Sequence, residues 1–202
     1  MPQTPMPQVH PIPPLFDAES RVLILGSFPS IKSREAMFFY GHPQNRFWPL
    51  LALLTGEPAP QTVEEKRALA LRHHFALWDS IGQCTITGSS DSSIRDVVPN
   101  DLRAITEHAP IERIFCNGNT SLKYYRRYNE PLLGRPAVVL PSTSPANAAW
   151  SLQRLAEAWR VILQTGGARS KWLLPLRFFR AAPHHSARAF GEGRRCNDAV
   201  LP

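Results

Sequence analysis

The sequence predicts an α/β protein: three αβα layers around a central, mostly parallel four-stranded sheet. Three observations carry this. Short apolar runs stand at Arg21 to Leu25, Phe75 to Trp78, Ile111 to Cys116 and Ala137 to Leu140. They read as strands buried on both faces. Segments with helical spacing separate them, which is the alternation of a sheet covered on both sides. Polar loops, GSFPS, NGN and LPSTSPAN, follow three of the runs. Sites in such folds lie outside the carboxyl ends of the strands, so these loops should gather on one sheet edge.

Each element has its own reason. The first fourteen residues, MPQTPMPQVHPIPP, hold six prolines, so residues 1–19 read as an extended, poorly ordered leader. RVLIL ends at Gly26, a strand feeding a turn. Phe47, Leu50, Leu51 and Leu54 share one helical face, with Pro49 in the first turn and Thr55-Gly56 as the stop. Thr62 and Glu65 form a capping box, so a second helix should run to about His73. The stretch GQCTITGSSDSSIRD is too rich in Ser, Gly and Asp for core. Asn100 is placed to cap a helix through His108, and another helix is expected from Thr120 through Tyr128. Ser144 then caps a helix with Pro145 in its first position, and Leu152, Leu155, Ala156, Trp159, Ile162 and Leu163 give it an apolar stripe. Residues 20–165 form the expected domain. Residues 166–202 lack periodicity and read as a disordered, basic extension, dispensable or serving as a nucleic-acid arm.

Composition narrows the function. At 202 residues and 43% hydrophobic content, the chain fits one globular domain. No apolar run approaches the ~20 residues of a membrane span, and the N-terminus has no signal-peptide core, which points to a cytoplasmic protein. Cys84, Cys116 and Cys196 are odd in number and far apart, so neither disulfides nor a metal or other cofactor is expected. The net charge of +7 suggests a polyanionic partner, but residues 166–202 carry seven Arg or Lys against two acids, so most of it sits in the tail.

The loops are more specific. GSFPS is not a nucleophile elbow, because Phe28 holds the place of the central serine, and no Gly-Lys-Ser/Thr makes it a P-loop. FYGHPQNRFW concentrates four rings, a histidine, an amide and an arginine within Phe39 to Trp48. Taken in order, GSFPSIKS, FYGHPQNRFW, SSDSSIRDVVPNDL and LPSTSPANA resemble the uracil-DNA glycosylase superfamily, and within it the hypoxanthine-DNA (deoxyinosine) glycosylase branch, over about residues 20–164.

The resemblance implies a monomeric DNA base-excision enzyme that hydrolyses the N-glycosidic bond of a deaminated base. Phe28 stands where most members place an Asp or Asn that positions water, and Leu140 where classical uracil enzymes place a histidine. The catalytic amide of this branch corresponds to Asn45. Gly26, Ser27, Phe28, Pro29, Tyr40, His42, Asp79, Ser142, Thr143, Ser144, Pro145 and Asn147 are the implied base and DNA contacts. Tyr40 would lie on the face of the flipped base, Asp79 would read its edge, and Ser142 to Ser144 would clamp phosphate at a helix N-terminus.

Chemistry agrees with such a site. A flipped base needs a stacking surface, a positioned water at C1′ and donors to the departing base. An amide cannot take a proton at neutral pH, so Asn45 either orients water with its oxygen or donates to the base. Each residue also has a plainer reading. Asn45 is a good helix cap, Tyr40 and Trp48 can pack on the core, and Phe47 belongs to the helical stripe. Arg46 can hold phosphate or an acid at the sheet edge, and His42 fits a structural turn. Removal of uracil or mismatched thymine, a non-catalytic binder of damaged DNA and an unrelated doubly wound hydrolase are the alternatives.

Overall fold

The computed structural model describes residues 7–164, so the expected basic tail, 166–202, lies outside the described residues. The strands β2 (Val22–Gly26), β3 (Phe75–Asp79), β6 (Arg113–Asn117) and β7 (Val138–Leu140) form the central sheet in the order β3-β2-β6-β7, parallel throughout. Every residue of β2 is buried, and its side chains alternate between the two faces. Val22 and Ile24 pack with Phe47, Leu50, Leu51 and Trp159, whereas Leu23 and Leu25 pack with Leu102, Ile105, Leu122 and Tyr125. One layer therefore comprises α2 (Phe47–Thr55), α3 (Val63–Arg72) and α7 (Leu152–Trp159); the other comprises α4 (Arg103–Thr106) and α5 (Asn119–Tyr124). This is the expected three-layer architecture.

Several elements follow their local chemistry. The capping box at Thr62 is formed, with Glu65 N–H donating to Thr62 Oγ1 at 3.1 Å. Gly56 ends α2 in the left-handed conformation at φ 72°. Phe47 and Trp48 are both core, and Trp48 Nε1 donates to Phe39 O at 3.0 Å.

Other expectations do not hold. The leader is not free beyond residue 6: β1 (Pro7–Val9) pairs antiparallel with β4 (Ile81–Thr85), and Ile12 and Leu15 are buried. The segment judged too polar for core forms β4 and β5 (Arg95–Pro99), giving a second sheet ordered β1-β4-β5. Register shifts between Ile81, Gln83 and Thr85 break the two-residue alternation that would have betrayed it. Asn100 does not cap a helix, because its amide donates to the carbonyls of Asp79 and Ile81 at 2.9 and 3.2 Å. The helix expected from Thr120 to Tyr128 passes from α5 into a π turn at Tyr125–Asn129, followed by α6 (Glu130–Leu133).

Ser144 and Pro145 open no helix either; α7 begins after Ser151, whose hydroxyl accepts from Arg154 N–H. The reason is Arg46. Its guanidinium donates to the carbonyls of Thr143, Ser144, Asn147 and Trp150 and holds the segment as successive turns, in which Ser144 O also accepts from Asn147 N–H and Asn147 O from Trp150 N–H. Among the described residues Arg46 pairs with no acid; it braces a loop.

Candidate active site

The loops after the parallel strands do gather on one edge, with α1 (Ile31–Glu35) and the aromatic stretch, around a cavity of about 790 Å³. That lies within the ~300–1,000 Å³ range of small-molecule sites. Ser27, Phe28, Pro29, Tyr40, His42, Asn45, Asp79, Ser142, Thr143, Ser144, Pro145 and Asn147 all line it. Gly26 lies just behind. A Cβ at Gly26 would sit 2.1 Å from Asp79 Oδ1 and 3.5 Å from Tyr40 Oη, so only glycine leaves those two oxygens room.

Asn45 is fixed by its surroundings. Its Oδ1 accepts from Phe47 N–H at 3.0 Å and from Thr143 Oγ1–H at 2.9 Å. A backbone N–H only donates, so the atom facing it is the carbonyl oxygen. Thr143 is fully buried; its Oγ1 accepts from Asn117 Nδ2 and its N–H donates to Asn117 Oδ1, both at 2.9 Å. Two backbone N–H groups thereby set the orientation of both amides. Asn45 is not the cap of α2, which is Arg46; from one residue earlier its oxygen satisfies the first N–H of the helix. With its oxygen used twice, Asn45 has its amide N–H groups left for the cavity, which favours donation to a ligand over orienting water.

Tyr40 differs from expectation. Its ring stacks on Phe47 at 3.8 Å between centroids, so one face is committed to the core. A left-handed φ of 53° directs it inward. Its hydroxyl is buried without a hydrogen bond, near Asp79 and Asn117, and burial followed by the Asp79 charge pushes its pKa far up. It is therefore a neutral hydroxyl in the cavity wall, beside Asp79 and Asn117.

Asp79, at the end of β3, is almost fully buried and its Oδ2 receives Nε2–H of His10 at 2.7 Å. Nδ1 of His10 accepts from Ile12 N–H at 3.2 Å, so the imidazole is neutral with its proton on Nε2. His10 arrives on the strand side of the segment read as a disordered leader, and nothing in its local sequence announces a site residue. His42 is oriented in a similar way: its Nδ1 accepts from Gln44 N–H at 3.1 Å, which leaves Nε2–H as a donor.

Phe28 is buried with Ile81, Cys84, Ile86, Ile94 and Tyr124 and meets His10 edge-on at 5.9 Å. Leu140 is core. Ser142 and Ser144 carry local turns, accepting from the N–H groups of Ser144 and Ala146, and Asn147 Nδ2 donates to Ser142 O at 2.9 Å. A phosphate clamp built on a helix N-terminus is therefore not present in this loop. Asn117 and Asp91 also line the cavity and were missed as site residues. The NGN turn after a strand was the available signal for Asn117. Lys32 also lines the cavity, with Nζ on Glu35 at 2.8 Å.

Comparison with known proteins identifies the family. A family model described as the uracil DNA glycosylase superfamily matches residues 13–163. The chain belongs to that superfamily. Among its relatives is a hypoxanthine DNA glycosylase of Methanosarcina acetivorans, 36% identical over 157 residues, covering 75% of this chain and 96% of the relative. Another, of Methanosarcina barkeri, is 34% identical over 152 residues, covering 73% and 92%. A solution NMR structure of a candidate uracil DNA glycosylase from Methanosarcina acetivorans superposes with a TM-score of 0.65 at 30% identity, covering 79% of this chain and all of that one. The superfamily fold is thus the three-layer αβα sheet described above, and among the described residues no helix is long and apolar enough to cross a membrane.

Proposed function

We propose that this member of the superfamily is a monofunctional DNA glycosylase that hydrolyses the N-glycosidic bond of a deaminated base, hypoxanthine in deoxyinosine first. The observation that carries the reading is Asn45. The amide of the NRFW stretch stands in the cavity wall with its oxygen locked and its N–H groups free, suited to a base that gains negative charge as it leaves. Two relatives named hypoxanthine DNA glycosylase support the choice of base.

The surrounding groups suit a deaminated edge, which presents a C=O beside an N–H. Tyr40 Oη–H can donate to the carbonyl, and the oxygen of Asp79 not used by His10 can accept the ring N–H. Adenine presents the reverse pattern at these positions. Further, we infer a monomer acting in the cytoplasm without metal or cofactor.

The test is base release from duplexes carrying deoxyinosine, deoxyuridine or deoxyxanthosine, read after alkaline cleavage of the abasic site, with borohydride trapping in parallel. Release of hypoxanthine without a trapped adduct is expected, because the amine at the rim, Lys32, is exposed and paired with Glu35. Tight binding with no release would instead make the chain a binder of damaged DNA. A borohydride-trapped adduct would make it a lyase.

A further inference from the structure

The reacting water needs a base. Among the residues lining the cavity, the ionisable ones are Lys32, Tyr40, His42, Asp79 and Asp91. Lys32 is a cation engaged by Glu35 and Tyr40 is neutral. His42 in its neutral form has its acceptor nitrogen occupied by Gln44 N–H, so it can only donate into the cavity. Asn45 Oδ1 already accepts twice. Two carboxylates remain, and their depths differ. Asp79 is buried at the end of β3 against His10, whereas Asp91, exposed as a residue, lines the cavity from the turn that precedes β5. With the flipped base read by Asp79, Asp91 is the carboxylate left for the deoxyribose side.

Asp91 is also held in place. Ser27 Oγ, in the loop after β2, donates to its Oδ1 at 3.1 Å across a separation of 64 residues. That contact ties the polar SSDSS segment to the first loop, next to Phe28, a side chain that can neither polarise nor accept from water.

Resting on the reading of the chain as a glycosylase, we propose that Asp91 is the catalytic base that takes a proton from the attacking water. The water oxygen forms a bond to C1′ as the bond from C1′ to the base nitrogen breaks. The bonding pair leaves with the base, which receives hydrogen bonds from donors such as the Asn45 amide and is protonated by solvent. The water proton passes to the Asp91 carboxylate and then to bulk. No other reactant is needed.

Although the residue as a whole is exposed, its carboxyl is desolvated in the cavity wall, which raises the Asp91 pKa above the ordinary aspartate value, and the hydroxyls of Ser27 and Thr120 act in the opposite direction. The charged or titratable groups around it are Asp79, Cys84 and Tyr124. Burial raises the pKa of Cys84 to about 11 and also raises that of Tyr124, so both are neutral near pH 7. A base works only when deprotonated, so base release should fall as pH drops through the raised Asp91 value.

The decisive experiment is single-turnover release of hypoxanthine by the full chain, its Asp91→Asn and Asp91→Ala variants, and saturating deoxyinosine duplex from pH 4 to 8. The loss of a general base typically costs 10²- to 10⁴-fold. Asp91→Asn should therefore lose at least a hundredfold in rate while its DNA affinity stays within about threefold, and the acid limb of the pH profile should vanish. Added formate should restore part of the rate in Asp91→Ala, an effect that a loss of folding cannot produce. Asp91→Asn within twofold of the parent, or an unchanged acid limb, would overturn the role. A parent inactive on every deaminated base would overturn the glycosylase reading itself, so the two failures are distinguishable.

Discussion

Asn45 can be separated into its two tasks by two substitutions. Asn45→Ala removes the acceptor of Phe47 N–H and of Thr143 Oγ1–H. At ~1 kcal/mol for each hydrogen bond, the loss is about 2 kcal/mol. For a domain of this size that lowers the melting temperature by roughly 4–8 °C. The same change removes an amide donor from the cavity, for which the expected loss in rate is a hundred- to a thousandfold, or ~3–4 kcal/mol. Asn45→Asp parts the two effects, because its oxygens still accept from Phe47 and Thr143 while the donor is gone and a negative charge faces the departing base. It should melt within about 2 °C of the parent, given that both hydrogen bonds survive, yet lose base release as severely as alanine does. The assay is single-turnover release of hypoxanthine beside a thermal melt. An Asn45→Asp variant active within tenfold of the parent would show that the amide N–H groups are not used, and that Asn45 serves only the helix start and Thr143.

Two further substitutions test the floor of the cavity. Gly26→Ala should abolish base release with the fold retained, since the added Cβ falls 2.1 Å from Asp79 Oδ1 and must displace that carboxylate; unimpaired release would mean that Asp79 does not touch the base. His10→Phe keeps a ring against Phe28 and Trp78 but leaves Asp79 buried without its donor. A loss of about 1–3 kcal/mol in denaturant unfolding, with weaker discrimination against adenine, is expected; unchanged stability and selectivity would show that the pair is idle.

The central sheet was legible because its strands are buried on both faces, so their apolar runs stand out against the helical spacing between them. The loops were legible because their residues occur in motifs. Four misreadings share a cause, which is that long-range partners override local signals. Ser144-Pro145 has the local chemistry of a helix start, yet Arg46, about a hundred residues earlier, takes its carbonyls. Asn100 has the chemistry of a cap, yet its amide is spent on β3 and β4. The bulged β4 hides Ile81 and Cys84, both fully buried, among Gly, Gln and Thr. His10 sits among prolines that locally favour an extended leader, and only pairing with β4 and Asp79 gives it a place. Asn45 shows the converse. The cap and the catalytic reading looked like rivals in the sequence, but the oxygen serves the helix start and Thr143, which leaves the nitrogen for the proposed role.

The N-terminal strand has a consequence for where this protein begins as a working unit. The superfamily model's match starts at residue 13, three positions after His10. A fragment trimmed to the shared span would retain the central sheet and every loop around the cavity, yet Asp79 would lose its latch. The family model's boundary therefore falls inside the folded unit, between His10 and the carboxylate that it holds.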